Sequence, residues 1–269
     1  MRSPVSMRYA ARVYTELNER RGWWCSGLCL LLLVSCGHPG KDLPAGTFER
    51  GMAESEGGAH LEAIEDLRLF IRRSPTDDRA DDAQYQIGVA RMEMGDYPVA
   101  AVEFEILRTD YPNSDLVDDA FYMEGMCYAE QVPDLRLEQS ITRKAVNHFQ
   151  RYLREFPNGS HRTEVEAKLE ELHRHLDQKA LDSVRLYRRL NRTRAAQVTL
   201  SAILSERPGS PLRPQMLLLA GDLYRDLREY DLAQESWARL VAELPDHPLS
   251  EQARRRLRAI GASEDDDSR

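Results

Sequence analysis

The chain has 269 residues, 42% of them apolar, and a formal net charge of −8 from 37 basic and 45 acidic side chains. That apolar share is enough for a continuous core, and the acidic balance gives no general attraction to phosphate backbones, which argues against nucleic acid as a partner. Catalytic signatures are also missing: there is no HExxH, no GxSxG and no P-loop.

Residues 1–35 read as a signal peptide. Arg20 and Arg21 precede a short apolar run, Leu28 to Val34, interrupted by Cys29. The run is shorter than the roughly 20 apolar residues that span a bilayer. It ends in Leu33-Val34-Ser35-Cys36. This resembles the lipobox of bacterial lipoproteins, which implies cleavage before Cys36 and acylation of its thiol and amine. Gly37, rather than Asp, follows the cysteine, and in lipoproteins that implies the outer membrane. The n-region is long enough that Met7 is an alternative start to Met1. Processing removes five Arg and two Glu, leaving a net charge of −11. It also removes Cys25 and Cys29, so beyond Cys36 the only thiol is Cys127, read as a small buried helix residue.

Residues 36–46, rich in Gly and Pro, read as a lipidated tether. Residues 47–260 then repeat one pattern. An alanine is followed by a large apolar residue at plus four, another at plus seven and a proline at plus twelve. The sets are Ala63, Leu67, Phe70, Pro75; Ala100, Phe104, Leu107, Pro112; Ala145, Phe149, Tyr152, Pro157; Ala196, Leu200, Ile203, Pro208; and Ala233, Trp237, Leu240, Pro245. A small residue suits a close helix crossing, the large ones fill the seam, and proline ends the helix. One such helix pair cannot bury its own apolar face, so copies must stack.

In chain order, the first pair turns at Glu56-Gly57-Gly58 and the second at Gly95-Asp96-Tyr97. The third carries about eight extra residues near Glu130 to Ser140, a loop suited either to recognition or to filler. From His161 to Leu190 there is neither Pro nor Gly, and apolar residues recur every three or four positions. This predicts a helix of nearly 30 residues opening repeat four. His173 and His175 lie on it two positions apart, hence on different faces, a poor metal pair. A last helix, Pro248 to Ile260, carries Arg254, Arg255, Arg256 and Arg258, and residues 261–269 read as an acidic disordered tail.

Ile87-Gly88, Gly95-Asp96-Tyr97 and Ala100, with Gly221, Tyr224, Glu229-Tyr230-Asp231 and Ala233, make the chain similar to the tetratricopeptide repeat (TPR) family. The resemblance implies an all-α, right-handed superhelical solenoid of five helix pairs. Its first helices would line a concave face, placing Phe48, Met52, Tyr85, Met92, Tyr122 and Met126 toward a groove, the alternative for each being a core or inter-repeat contact.

The lipobox, the five repeats, the insert before Gln139-Ser140-Ile141-Thr142-Arg143-Lys144-Ala145 and the long helix together resemble the BamD family. These are lipoproteins of the outer-membrane β-barrel assembly machinery, and the stretch QSITRKAVNHFQRYLREFP is the most family-like part of the chain. The resemblance implies a non-enzymatic scaffold without metal or cofactor, anchored to the outer membrane through its lipid and facing the periplasm. Its partners would be a BamA-like barrel protein, other assembly lipoproteins and segments of unfolded outer-membrane proteins. The competing reading is a TPR lipoprotein scaffold for pilus assembly or for Tol-Pal and cell-wall coordination. Against it, no coiled coil precedes Thr47, and pilus-assembly repeat proteins lack the long helix.

Overall fold

The computed structural model describes residues 40–267, with side chains described to Ile260. The segment read as a signal peptide, and Cys36, lie outside the described residues. Eleven α-helices and no strands occur among the described residues. They are α1 Phe48–Glu56, α2 His60–Arg73, α3 Ala80–Glu93, α4 Tyr97–Asp110, α5 Val117–Glu130, α6 Ser140–Glu155, α7 Arg162–Arg189, α8 Thr193–Glu206, α9 Arg213–Asp226, α10 Tyr230–Glu243 and α11 Pro248–Asp267. They form five antiparallel pairs and a final helix. The long helix opens the fourth pair with 28 residues.

Two compact units divide the chain. One runs to Gln131 and adds Asn147–Val165; the other holds Val132–Val146 and continues from Glu166. The first unit centres on Ile64, Leu67, Phe70, Ala83, Ile87 and Ala90. In the second, Leu181, Val184, Leu200, Met216 and Leu223 form one cluster, and Leu217, Trp237, Leu240, Ala253 and Ile260 another. All five repeat alanines, Ala63, Ala100, Ala145, Ala196 and Ala233, are fully buried.

Helix crossings are set by glycine. A methyl group added at Gly88 would lie 2.7 Å from the Phe104 ring, one at Gly125 2.5 Å from Phe149, and one at Gly221 2.2 Å from Trp237 Nε1. Gly51 faces Leu67 in the same way, at 2.5 Å. Each glycine stands twelve residues before its repeat alanine, except across the insert of the third pair. In the fourth pair Val184 holds this position and the facing residue is the smaller Leu200, both in one buried cluster.

Turns within pairs are equally regular. Gly58, Gly95, Asn191 and Arg228 all adopt left-handed backbone, with φ of 78°, 76°, 57° and 62°. The next N–H, of Ala59, Asp96, Arg192 or Glu229, reaches back five residues to a helix carbonyl at 2.8–2.9 Å. This is the Schellman closure, which satisfies carbonyls that a helix end would otherwise leave open. The third pair has its long loop instead.

Between pairs, the side chain two residues after most of these prolines closes the turn that leads into the next helix. Asp77, Ser114, Ser210 and His247 accept from the N–H two residues on, at 3.0–3.1 Å. In the loop after Pro157 this place is Gly159, and Ser160 donates to Asp118 Oδ2 at 2.9 Å. Ser114 with Asp81 and Ser210 with Asp177 tie successive first helices alike.

Both ends of the described chain carry further structure. The last helix continues to Asp267 through the segment read as an acidic disordered tail. No proline interrupts it there, although its acidic residues oppose the helix dipole at that end. Residues 40–46 do not hang free as a tether: Gly46 N–H donates to Asp66, Arg73 Nη1 to Ala45 O at 2.9 Å, and Leu43 N–H to Gly40 O at 2.9 Å.

Trp237 is the only tryptophan after residue 24, so it reports on the α9–α10 crossing. Gly221→Ala is expected to lower stability by about 1–3 kcal/mol and to shift Trp237 emission to the red in urea unfolding. Arg228→Gly should instead gain about 1 kcal/mol by relieving left-handed strain. An unchanged midpoint and emission for Gly221→Ala would refute the close crossing.

Candidate binding surface

The six residues assigned to an open groove fall in the first unit. Tyr85 and Met92 are each 3% exposed, Tyr122 5% and Met126 6%. Tyr85 meets the Phe104 ring edge-on at 5.5 Å. Tyr122 stacks on His161 at 4.2 Å, and His161 Nε2 lies 2.6 Å from Asp119. These four side chains are therefore packing between helices rather than open groove lining. The cause is the glycine crossings, which bring neighbouring helices close enough to cover them. Burial also drives the Tyr85 hydroxyl well above its ordinary pKa, so it stays neutral. Phe48 and Met52 are half-buried. Phe48 leans on Phe70 at 5.7 Å, and the Arg79 guanidinium lies over both rings at 5.2 and 5.4 Å.

Buried charge in the first unit forms a network that the sequence did not announce. Glu124, 4% exposed, accepts from Arg108 at 2.7 Å and from the Tyr128 hydroxyl at 2.9 Å. His148 Nδ1 lies 3.5 Å from the same carboxylate, while its Nε2 meets the Phe121 carbonyl at 2.8 Å. Arg108 and Arg151 each sit over the Phe121 ring, at 4.4 and 4.6 Å. Glu103, also buried, holds Arg68 and the Gln84 amide.

Two concavities remain open. In the first unit a cavity of about 840 Å³ is lined by Ala45, Arg50, Glu62, Glu65, Asp66 and Arg68 among others. Arg50 bridges Glu54 at 2.9 Å and Asp66 at 2.8 Å there. Desolvation holds the Glu54 carboxyl above the usual carboxylate range, with the Arg50 hydrogen bond working the other way. In the second unit a cavity of about 630 Å³ is lined by Asp182, Arg185, Arg188, Arg189 and Leu219. Beside Arg185 and Arg189 in sequence stand the exposed Leu186 and Leu190.

The other candidates resolve into structural roles. Cys127 is fully buried, and burial pushes its thiol pKa up, away from a reactive thiolate. Of the basic residues on α11, Arg256 pairs with Asp222 at 2.7 Å, while Arg254, Arg255 and Arg258 all contact Glu251. The insert spans Gln131 to Gln139; Gln139 Nε2 folds it by donating to the carbonyls of Asp134 and Leu137, and Leu137 is 59% exposed. Among the described residues no group of three or more His, Cys, Asp and Glu is arranged for a metal. None of their helices is long and apolar enough to cross a membrane.

These features define an all-α helical-repeat protein. More particularly, the outer membrane lipoprotein family YfiO, the BamD family, matches residues 41–240, and the chain belongs to it. No curated protein matches. Among solved structures, TTC0263, a thermophilic TPR protein of Thermus thermophilus, is similar at 15% identity and a TM-score of 0.30, over 78% of this chain and 94% of that one. YrrB, a TPR protein with an unusual peptide-binding site, is similar at 16% identity and a TM-score of 0.29, over 78% and 93%. Both overlays are loose, and the repeat architecture stands on the five helix pairs themselves.

Removing one partner of the buried Arg108–Glu124 pair should be far worse than removing both. Glu124→Ala is expected to cost about 3–5 kcal/mol, and Arg108→Met with Glu124→Leu clearly less. Urea unfolding of the two variants decides it; equal losses would mean that the network contributes only side-chain volume.

Proposed function

We propose that the protein is a lipid-anchored, periplasm-facing scaffold of outer-membrane protein assembly. Acylated Cys36 holds it to the outer membrane. Its C-terminal repeats bind the periplasmic domain of a BamA-like barrel protein, beside other assembly lipoproteins, and its N-terminal repeats receive extended segments of unfolded barrel proteins. The observation that carries this reading is the family match, which runs from residue 41 to 240 and so takes in parts of all five repeats.

The second unit supports the partner half of the proposal. Its cavity carries Arg189 beside the ion pairs Arg185–Asp182 and Arg188–Asp226, next to the exposed Leu186 and Leu190, and suits a polar, net acidic surface with an apolar centre. For clients, burial of Tyr85, Met92, Tyr122 and Met126 leaves Phe48 and Met52 of α1 as the more reachable of the six. No residue is assigned a catalytic role.

The test is a mild-detergent pull-down from the native outer membrane, with the protein tagged after Arg269. Co-purification of a large barrel protein with repeated periplasmic domains is expected. Arg185→Glu with Arg189→Glu should reduce its recovery about tenfold, the equivalent of roughly 1.4 kcal/mol. Recovery of pilus or Tol-Pal components without such a barrel would overturn the proposal.

A further inference from the structure

We infer that residues 40–46 are a strap rather than a tether, and that the lipid anchor therefore holds the first helix pair against the membrane headgroups. The inference rests on the proposed acylation of Cys36.

The strap is bound along its length. At one end Gly40, with φ of 92°, lies on α1, where an added methyl would be 3.2 Å from Glu54 and 3.3 Å from Arg50. Leu43 N–H closes a turn onto Gly40 O at 2.9 Å, and Thr47 Oγ1 donates to Pro44 O at 2.9 Å. Across the pair, Arg73 Nη1 donates to Ala45 O at 2.9 Å. At the other end Gly46 N–H donates to Asp66, the carboxylate that also receives Arg50 at 2.8 Å. Gly46 has φ of 72°, and a methyl there would lie 2.5 Å from Leu69. Only glycine suits both the left-handed backbone and the close approach to α2.

Chain length turns this into a distance. A free segment from Cys36 to Thr47 would reach about 38 Å at 3.5 Å per residue, enough to lift the repeats well clear of the bilayer. With the strap seated, only the four steps from Cys36 to Gly40 remain, about 14 Å at most. The headgroup layer of one leaflet is itself roughly 5–8 Å deep. An acylated Cys36 at its inner edge then leaves Gly40, and the part of α1 it touches, no more than about 6–9 Å beyond the headgroup layer. The occupant of this surface is the lipid headgroup layer, and the first helix pair is the membrane-proximal part of the first unit.

The experiment uses the full acylated chain in vesicles. Single cysteines replace Glu62, an exposed residue lining the cavity that the strap also borders, or Gln150, an exposed residue on the third pair. Each is labelled with an environment-sensitive fluorophore; Cys127 is fully buried and stays unlabelled. Quenching by headgroup-labelled nitroxide lipid should be at least twice as strong at residue 62 as at 150. A ten-residue Gly/Ser insertion after Gly37 should abolish the difference. Gly46→Val, which unseats the strap, should reduce it and speed amide exchange across residues 40–46. Equal quenching at the two positions in the native-length chain, or a difference that survives the insertion, overturns the inference. The mass of the N-terminal peptide reports acylation separately. An unacylated Cys36 would refute the anchor in the proposed function, and a maleimide lipid coupled to Cys36 would then still measure what the strap does.

Discussion

A glycine on one helix lying under a large side chain on the next is the contact from which the remaining order follows. Gly51 under Leu67, Gly88 under Phe104, Gly125 under Phe149 and Gly221 under Trp237 let paired helices approach closely. Each large side chain then loses nearly all its water, which is worth about 1.5–3 kcal/mol apiece. Close approach also fixes which turns can join the helices. A short connection must reverse the chain at once, and the left-handed residue with its five-residue backward hydrogen bond does so at four of the five pairs. The third pair escapes this constraint by its longer loop, and the fourth keeps the turn but trades glycine for Val184 and the aromatic for Leu200. The branched Val184 then faces a side chain smaller than Phe or Trp, and both stay buried in one cluster.

The repeats were legible because their signal is internal: alanine, two large residues and proline recur at fixed spacing, and the structure buries every one of those alanines. The long helix was legible for the opposite reason, a lack of punctuation between His161 and Leu190. The serine–aspartate ties were not, since Ser114 and Asp81 are 33 residues apart and Ser160 and Asp118 are 42 apart. Their one local trace is a serine two residues past Pro112 and Pro208 and three past Pro157. Arg228 gave no sign at all of its left-handed backbone, because a turn signal is read from glycine or asparagine and arginine is neither. The seating of residues 40–46 was hidden likewise: Gly and Pro announce a flexible linker equally well when they are used for close contact.

The groove residues fail to read for a more general reason. A family alignment says which side of a helix a residue occupies, but not how near the neighbouring pair comes. Tyr85 and Tyr122 lie on the expected helices and are nonetheless covered, by Phe104 and by His161 with Phe149. Helix identity is a property of the repeat, whereas exposure depends on every crossing around it.

Charge is distributed in keeping with that distinction. In the first unit it is turned inward: Glu103, Glu124 and Glu54 are all buried and paired with Arg68, Arg108 and Arg50. Such pairs add little net stability over apolar residues of the same volume, yet Arg68–Glu103 and Arg108–Glu124 each fix one register between helices, since any slip would strand a charge. The second unit uses its arginines differently: Arg188 and Arg256 converge on Asp222, while Arg185, paired with Asp182 at 3.0 Å, and Arg189 stand on the exposed rim of a cavity beside bare leucines. A unit whose charges are consumed internally is suited to hold its shape at a fixed place, and a unit that leaves cations at an apolar rim is suited to hold something else. With Cys36 acylated as proposed, the strap would give the first of these its place, because a rigid first repeat on a short lead turns one anchored residue into a defined standing distance from the membrane.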